Sequence, residues 1–288
     1  MRWRRAPAKI NLTLRVVARR ADGLHEIESL VAFAGICDWL GYEPGGRLEL
    51  EVEGPSALEV GPVEGNLVLR AARELAARVP GLALGRFRLI KRLPAAAGMG
   101  GGSADAAAAL RALAEANGLS VNDDRLREAA AETGADVPAC LLPTARMMSS
   151  VGDRLGPPVA LPRVFALLVN PRVAAPTRHV FEALELPPGS RLQPSEQSLL
   201  VPRTDARGIR DWIVSGCNDL EPAALRVAPA IGTALEKLSR LPRAVAARMS
   251  GSGATCFAVF DSRRDAAAAQ KMIAADRPEW WVKATGLG

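Results

Sequence analysis

The chain has 288 residues, 49% of them hydrophobic and 4% aromatic, with 37 basic against 31 acidic side chains and a net charge of +6. That length and apolar content exclude a disordered chain and leave room for one large or two medium domains. The positive excess forms no block of five like charges and is not interleaved with aromatic rings, so a small anionic substrate is expected and no nucleic acid.

The four cysteines, Cys37, Cys140, Cys217 and Cys256, are far apart and form no CxxC pair. Zinc spacing is therefore absent, no metal site is expected, and they read as buried thiols in a reducing compartment. Met1 to Pro7 is basic without a following apolar stretch, so it does not read as a secretory signal. No apolar run approaches the roughly 20 residues that span a bilayer. The expectation is a cytoplasmic protein with no membrane partner.

In chain order, Ala8 to Val17 alternates apolar and polar residues and predicts a half-buried strand. Arg47 to Glu53 and Arg86 to Lys91 alternate in the same way. Between them Asn66 to Val79 has helical spacing and is ended by Pro80-Gly81. A glycine-rich loop follows, then an alanine-rich helix from about Ser103 to Asn117, with Ser103 as N-cap and Asp105 in its first turn. Asp123 to Thr133 predicts another helix, stopped by Gly134. Proline and glycine gather at Gly156-Pro157-Pro158 and Pro162, which places a domain boundary after residue 157 and divides the chain into 1–157 and 158–288.

The second part opens on a strand, Phe165 to Asn170, and Pro187 to Gly208 reads as loop-rich. Helices are expected near Asp219 to Leu225 and from Ala230 to Leu241. The chain then reads strand (Ala244 to Met249), Gly-Ser-Gly turn, strand (Thr255 to Phe260), helix (Arg263 to Ala275) and strand (Trp280 to Ala284). Strands and helices mix without strict βαβ alternation, which points to an α+β fold.

The chemistry concentrates in Pro94, Ala95, Ala96, Ala97, Gly98, Met99, Gly100, Gly101, Gly102, Ser103 and Ala104. Glycine reaches positive φ cheaply and lets a ligand approach the backbone. A helix start just after it offers N–H donors and the positive end of a dipole, the makings of a phosphate site. The segment is not a P-loop, because no lysine follows Gly102. Nor is it a dinucleotide fingerprint, since it follows a later strand and its glycines are wrongly spaced. A second element, Ser250-Gly251-Ser252-Gly253-Ala254-Thr255, is either a hairpin connector or a cap on the same phosphates.

Lys9, within an alternating strand, and Asp136, in Thr-Gly-Ala-Asp-Val-Pro, are candidates for phosphoryl transfer to an alcohol. Such a reaction needs a proton acceptor for the hydroxyl and positive charge near the transferred oxygens. Spacing alone leaves open that both are solvated surface groups.

Three blocks resemble the GHMP kinases, the superfamily of galactokinase, homoserine kinase and mevalonate kinase. They are Ala8-Lys9-Ile10-Asn11-Leu12, Pro94 to Ala107, and Ser250 to Thr255. Further blocks are similar to the branch acting on a cytidine-diphosphate-linked methylerythritol: Arg20-Ala-Asp-Gly-Leu-His25-Glu26, Gly134-Ala-Asp136-Val-Pro138, Val169-Asn-Pro171, Asn218-Asp-Leu-Glu221-Pro222 and Met249 to Phe257. They recur in order over nearly the whole chain. The resemblance implies a two-domain α+β fold with the active-site cleft between the domains. It implies an ATP-dependent kinase, with Mg²⁺ travelling on the nucleotide, that phosphorylates the acceptor's 2-hydroxyl in non-mevalonate isoprenoid precursor synthesis.

Carried over position by position, Asp136 is the family's base and Lys9 its lysine, with Asn11 in the substrate site. His25 falls on the residue that hydrogen-bonds the cytosine, Phe181 on an aromatic packed on its face, and Thr177 beside that ring. Three places depart from the pattern: Leu24 replaces a stacking tyrosine, Ala104 replaces the second serine of the loop, and Leu141 to Ser150 lacks the glycines common after the Asp-Val-Pro turn. Other readings are a GHMP kinase of mevalonate or homoserine type, a nucleotide-binding regulator without catalysis, and an RNA-binding domain.

Overall fold

A computed structural model describes residues 1–192 and 206–288. Its elements are, in order, β1 (Arg2–Asn11), β2 (Arg15–Arg19), β3 (His25–Pro44), β4 (Glu49–Glu53), α1 (Leu67–Arg78), β5 (Gly85–Ile90), α2 (Gly101–Ala116), α3 (Asp124–Thr133), α4 (Val137–Leu141), β6 (Arg146–Ser150) and β7 (Arg154–Pro158). There follow β8 (Val164–Asn170), α5 (Thr177–Glu182), α6 (Ala206–Ser215), α7 (Glu221–Val227), α8 (Ala230–Ser239), β9 (Ala246–Met249), β10 (Cys256–Phe260), α9 (Arg263–Asp276) and β11 (Trp281–Leu287). Two compact units result, interleaved in sequence. The first is Met1–Lys9, Ile36–Ala95 and Gly100–Pro143; the second is Ile10–Gly35, Ala96–Met99 and Thr144–Gly288.

In the first unit β5 pairs antiparallel with the second half of β3, Trp39 facing Ile90 and Pro44 facing Gly85, and parallel with β4. Helix α1 packs on α2 and α3, and α2 packs on α4. Asn66 caps α1 by accepting from the N–H of Val68, and Val68, Leu69, Ala71, Ala72 and Leu75 turn inward. Helix α2 is buried almost all round, Ala104 to Leu110 included, because alanine lets two neighbouring helices approach on different faces.

In the second unit an antiparallel sheet runs β3–β11–β8–β10–β9, with the first half of β3 also pairing β2 and β6. Helix α9 covers β8 and β11, and α8 covers β9 and β10. Ser262 caps α9 through the N–H of Asp265, while Asp265 accepts from its hydroxyl.

Several local expectations need correction. Ala8 to Val17 is not one strand: the chain breaks pairing after Asn11 and resumes at Arg15, and Ala6 to Asn11 is buried on both faces. Ser103 is not the N-cap of α2. Gly100 is, in the left-handed conformation (φ +59°), so the helix begins earlier and Asp105 lies beyond its first turn, buried. Strand β3 has no period-two signal, because much of it is buried on both faces. Helix α6 begins inside Pro187 to Gly208, of which 193–205 lie outside the described residues.

Cys37, Cys140 and Cys256 are buried free thiols, and Cys217 is half-buried and also unbridged. Among the described residues no helix is long and apolar enough to cross a membrane.

Candidate active site

In the first unit, β1 carries Lys9 and the N-cap of α4 carries Asp136. The Lys9 Nζ lies 2.9 Å from Asp136 Oδ1, with the lysine buried and the carboxylate partly open to solvent. The phosphate-loop candidate reaches this pair at Gly100. A Cβ there would lie 3.4 Å from Cβ and Cε of Lys9 and 3.8 Å from Oδ2 of Asp136. Glycine is favoured there by the left-handed φ of +59°, while a Cβ would meet the ion pair only in ordinary van der Waals contact. The first intrahelical bond runs from Ala104 N to Gly100 O at 2.8 Å, so the N–H groups of Gly101, Gly102 and Ser103 have no acceptor within the helix. Ala96 and Gly98, in the second unit, are left-handed; in the first unit the left-handed Gly100 and the helix start gather N–H groups into a nest suited to an anion.

Ahead of this nest, Ala95 N donates to Glu59 Oε2, and Met99 and Ala97 are buried. Ala104 is also buried, so its methyl packs in the helix layer.

Within the second unit, Ala96 to Met99 rests on the second glycine element. Thr255 N donates to Ala97 O at 3.2 Å and the Ser250 hydroxyl to Gly98 O at 3.2 Å. A Cβ on Gly98 would run into the carbonyls of Gly253 and Ser250. Asn218 in turn fixes that element by donating to Met249 O and Gly251 O. Asn11 joins the same cluster, its N–H to Ser250 Oγ and its amide to Ser29 Oγ at 2.7 Å. Ser250-to-Thr255 is thus a support that shapes the loop backbone, more than a plain hairpin turn.

The second unit also holds a cavity of about 430 Å³ lined by Arg19, Leu24, His25, Thr177, Phe181 and Glu182, among others. The rings of His25 and Phe181 sit with centroids 4.8 Å apart, tilted by 32°. Thr177 lies one helical turn before Phe181 and shares a hydrogen bond with Ser252 Oγ at 2.9 Å, tying the cavity wall to the second glycine element. Burial, helped by the charge of Arg19, lowers the His25 pKa and favours the neutral ring. Its Nε2 is buried with no hydrogen-bond partner among the described residues, a polar atom left for a ligand. Leu24 lines the cavity and is half exposed. Leu24→Tyr is expected to lower the acceptor KM roughly two- to tenfold, the worth of one ring contact. Steady-state kinetics at saturating ATP measures this, and an unchanged KM would remove stacking from the account.

Sequence reasoning missed a buried ion cluster next to the loop. Lys91 Nζ binds Asp38 Oδ2 at 2.6 Å and Asp105 Oδ2 at 2.8 Å, and all three residues are buried. Asp38 Oδ1 also accepts the N–H groups of Arg92 and Leu93, on the approach to the loop. A Cβ on Gly101 would come within 3.5 Å of the Lys91 ammonium. The signal was present: Lys91 falls in phase with the inward-facing Phe87 and Leu89 of β5.

Two carboxyl groups share one ammonium, and Asp105 Oδ1 has no partner among the described residues. Burial, outweighing the attraction of Lys91, pushes Asp105 from 3.8 to about 8. For Lys91, burial works downward, but the charges of Asp105 and Asp38 outweigh it and raise the pKa. A carboxyl that holds its proton more tightly folded than unfolded makes stability fall as pH rises between the two pKa values. The unfolding midpoint is therefore expected to decline from about pH 4 to about pH 8 by a component that Asp105→Asn abolishes. Thermal melts across that range check it; parallel profiles for the two proteins would refute it.

The GHMP kinases N terminal domain family matches residues 66–143 and the GHMP kinases C terminal family matches 199–277. A 4-diphosphocytidyl-2-C-methyl-D-erythritol kinase of Xanthobacter autotrophicus is 56% identical over 286 residues, covering 98% of both chains. One of Methylorubrum extorquens (strain PA1) is 52% identical, again with 98% of each chain covered. Among solved structures, a 4-(cytidine 5'-diphospho)-2C-methyl-D-erythritol kinase superposes with a TM-score of 0.80 at 33% identity, covering 100% of this chain and 99% of its own. A mevalonate kinase of L. major reaches 0.69 at 16% identity over 99% and 96% of the two chains, a likeness of fold alone. With both family regions matched and identity above one half along nearly the full length, the chain belongs to the GHMP kinases.

Proposed function

We propose that the chain is the kinase that transfers the γ-phosphoryl group of ATP to the 2-hydroxyl of 4-diphosphocytidyl-2-C-methyl-D-erythritol, a step in making isoprenoid precursors without mevalonate. The observation that carries it is the 2.9 Å Lys9–Asp136 pair set against the glycine N-cap of α2. The Gly100 to Ser103 helix start takes the ATP phosphates. Asp136 accepts the proton of the acceptor hydroxyl as its oxygen bonds to the γ-phosphorus, and the bond to the ADP oxygen breaks. Lys9 keeps the carboxylate oriented and places positive charge beside the transferred oxygens.

Mg²⁺ supplies charge neutralisation on the phosphates when bound. Among the described residues no three His, Cys, Asp or Glu side chains gather to cage an ion. Such an ion would be held mainly by phosphate oxygens and water, leaving Asp136 to take the proton.

The acceptor is assigned from the second unit. A neutral histidine with an unpaired ring nitrogen, stacked on Phe181, suits an aromatic base with hydrogen-bonding edges better than a short aliphatic alcohol. The named relatives support the same acceptor. A coupled ADP-release assay with the cytidyl substrate, mevalonate and homoserine tests it. Turnover is expected with the first alone, and turnover with mevalonate but not the cytidyl substrate would overturn it. The intact Lys9–Asp136 pair speaks against a regulator that has lost catalysis.

A further inference from the structure

Arg111 has no part in the chemistry so far, yet it joins the two backbones that carry it. It projects from the middle of α2, half-buried, on the helix whose first turn closes the phosphate nest. Its Nη1 donates to Cys140 O at 2.6 Å and Leu141 O at 3.3 Å, the last carbonyls of α4. Its Nη2 donates to Arg5 O at 2.9 Å, on β1. One guanidinium thus binds the element bearing Asp136 and the strand bearing Lys9, both within the first unit.

Helix α4 has five residues, too short to hold itself in place, and its terminal carbonyls have no intrahelical donors. Asp136 sits at its other end, one turn from Cys140, so a shift of the C-terminal carbonyls moves the carboxylate with them. The Asp136 side chain makes no capping bond to α4, which leaves its position to the helix frame and to Lys9. A planar fork with fixed donor directions suits this task, whereas an ammonium would bind carbonyls as a point charge without fixing their separation. A half-buried guanidinium stays charged even where burial, the leading effect, lowers its pKa.

We propose that Arg111 is a positioning residue for phosphoryl transfer, clamping β1 to α4 so that Lys9 and Asp136 keep their register beside Gly100. The inference rests on the catalytic reading of that pair. A displacement of about 1 Å at a reacting group can cost about a hundredfold in rate without altering binding. The effect should therefore fall on kcat and spare the KM values.

The test compares Arg111→Met and Arg111→Lys with wild type by steady-state kinetics and thermal melts. A second arm repeats Arg111→Met in the Asp136→Asn background with long incubations. Arg111→Met is expected to lower kcat about ten- to a hundredfold with both KM values within about twofold, and Arg111→Lys to recover part of it. In the Asp136→Asn background the same substitution should change the residual rate by less than about twofold, because the residue acts through that carboxylate.

Wild-type kcat in folded Arg111→Met overturns the proposal, as does an equal loss with and without Asp136. Failure of both variants to fold, or full kcat in Arg111→Lys with an unfolded Arg111→Met, makes Arg111 a folding residue and also overturns it. The catalytic reading fails separately, if Asp136→Asn alone keeps wild-type turnover.

Discussion

Asp136→Asn is expected to lower turnover by about 10³-fold, within the range that a positioned proton acceptor contributes, while ATP affinity stays within about twofold. The amide has nearly the shape of the carboxylate and can still accept from Lys9 Nζ, which lies 2.9 Å from Asp136 Oδ1. What it cannot do is take a proton from an alcohol. In the proposed function the N–H groups that meet the phosphates belong to the start of α2, not to Asp136, so ATP affinity is expected to hold. Removing the negative charge weakens the attraction on the buried Lys9 ammonium to that of a neutral hydrogen bond, and part of any stability loss will come from there. ADP release measured beside ATP titration separates the two effects. Wild-type turnover in this variant would strip Asp136 of the base role, and a parallel loss of ATP affinity would make it a binding residue instead.

Lys91→Met is expected to be the most destabilising single change, by about 3–5 kcal/mol, the cost of leaving buried charge unpaired. Methionine fills most of the space of the lysine stem, so the loss comes from electrostatics and hydrogen bonds and not from a cavity. It strands the buried carboxyls of Asp38 and Asp105, which meet at the Lys91 ammonium at 2.6 and 2.8 Å. Asp38 also holds the N–H groups of Arg92 and Leu93, so the approach to the phosphate loop should loosen along with the cluster. Adding Asp105→Asn removes one of the two stranded carboxyls, and the double variant is expected to recover part of the loss. Chemical unfolding of the single and double variants decides it. A change below about 1 kcal/mol in Lys91→Met would show that the cluster is dispensable to the fold.

Both substitutions touch residues whose visibility in the sequence differed. Asp136 stood out because it follows a helix-stopping glycine within a recognisable block, and Lys9 because it lies in another; spacing left their meeting open, and the fold makes them a 2.9 Å pair. Lys91 had a weaker mark, its phase with Phe87 and Leu89. Asp105 misled: near a helix start a carboxylate suits the dipole, but the left-handed Gly100 moves that start forward and turns Asp105 into the core. That Gly100 comes to lie against Lys9, from the far end of β1, is recorded by no local pattern.

By itself the sequence determined the elements with a one-sided pattern, α1, α3, β5, α8 and α9, since alternation and caps are local properties of neighbouring residues. It also determined the glycine nest and the chemical types available to it. Only tertiary structure decided how those types are grouped. Strand β3, buried on both faces for much of its length, gives its first half to one unit and its second to the other and carries no periodic signal. Likewise the Arg111 clamp joins α2 to the far-off carbonyls of Arg5 and Cys140, because a guanidinium recognises backbone oxygens and leaves no mark on the residues that supply them.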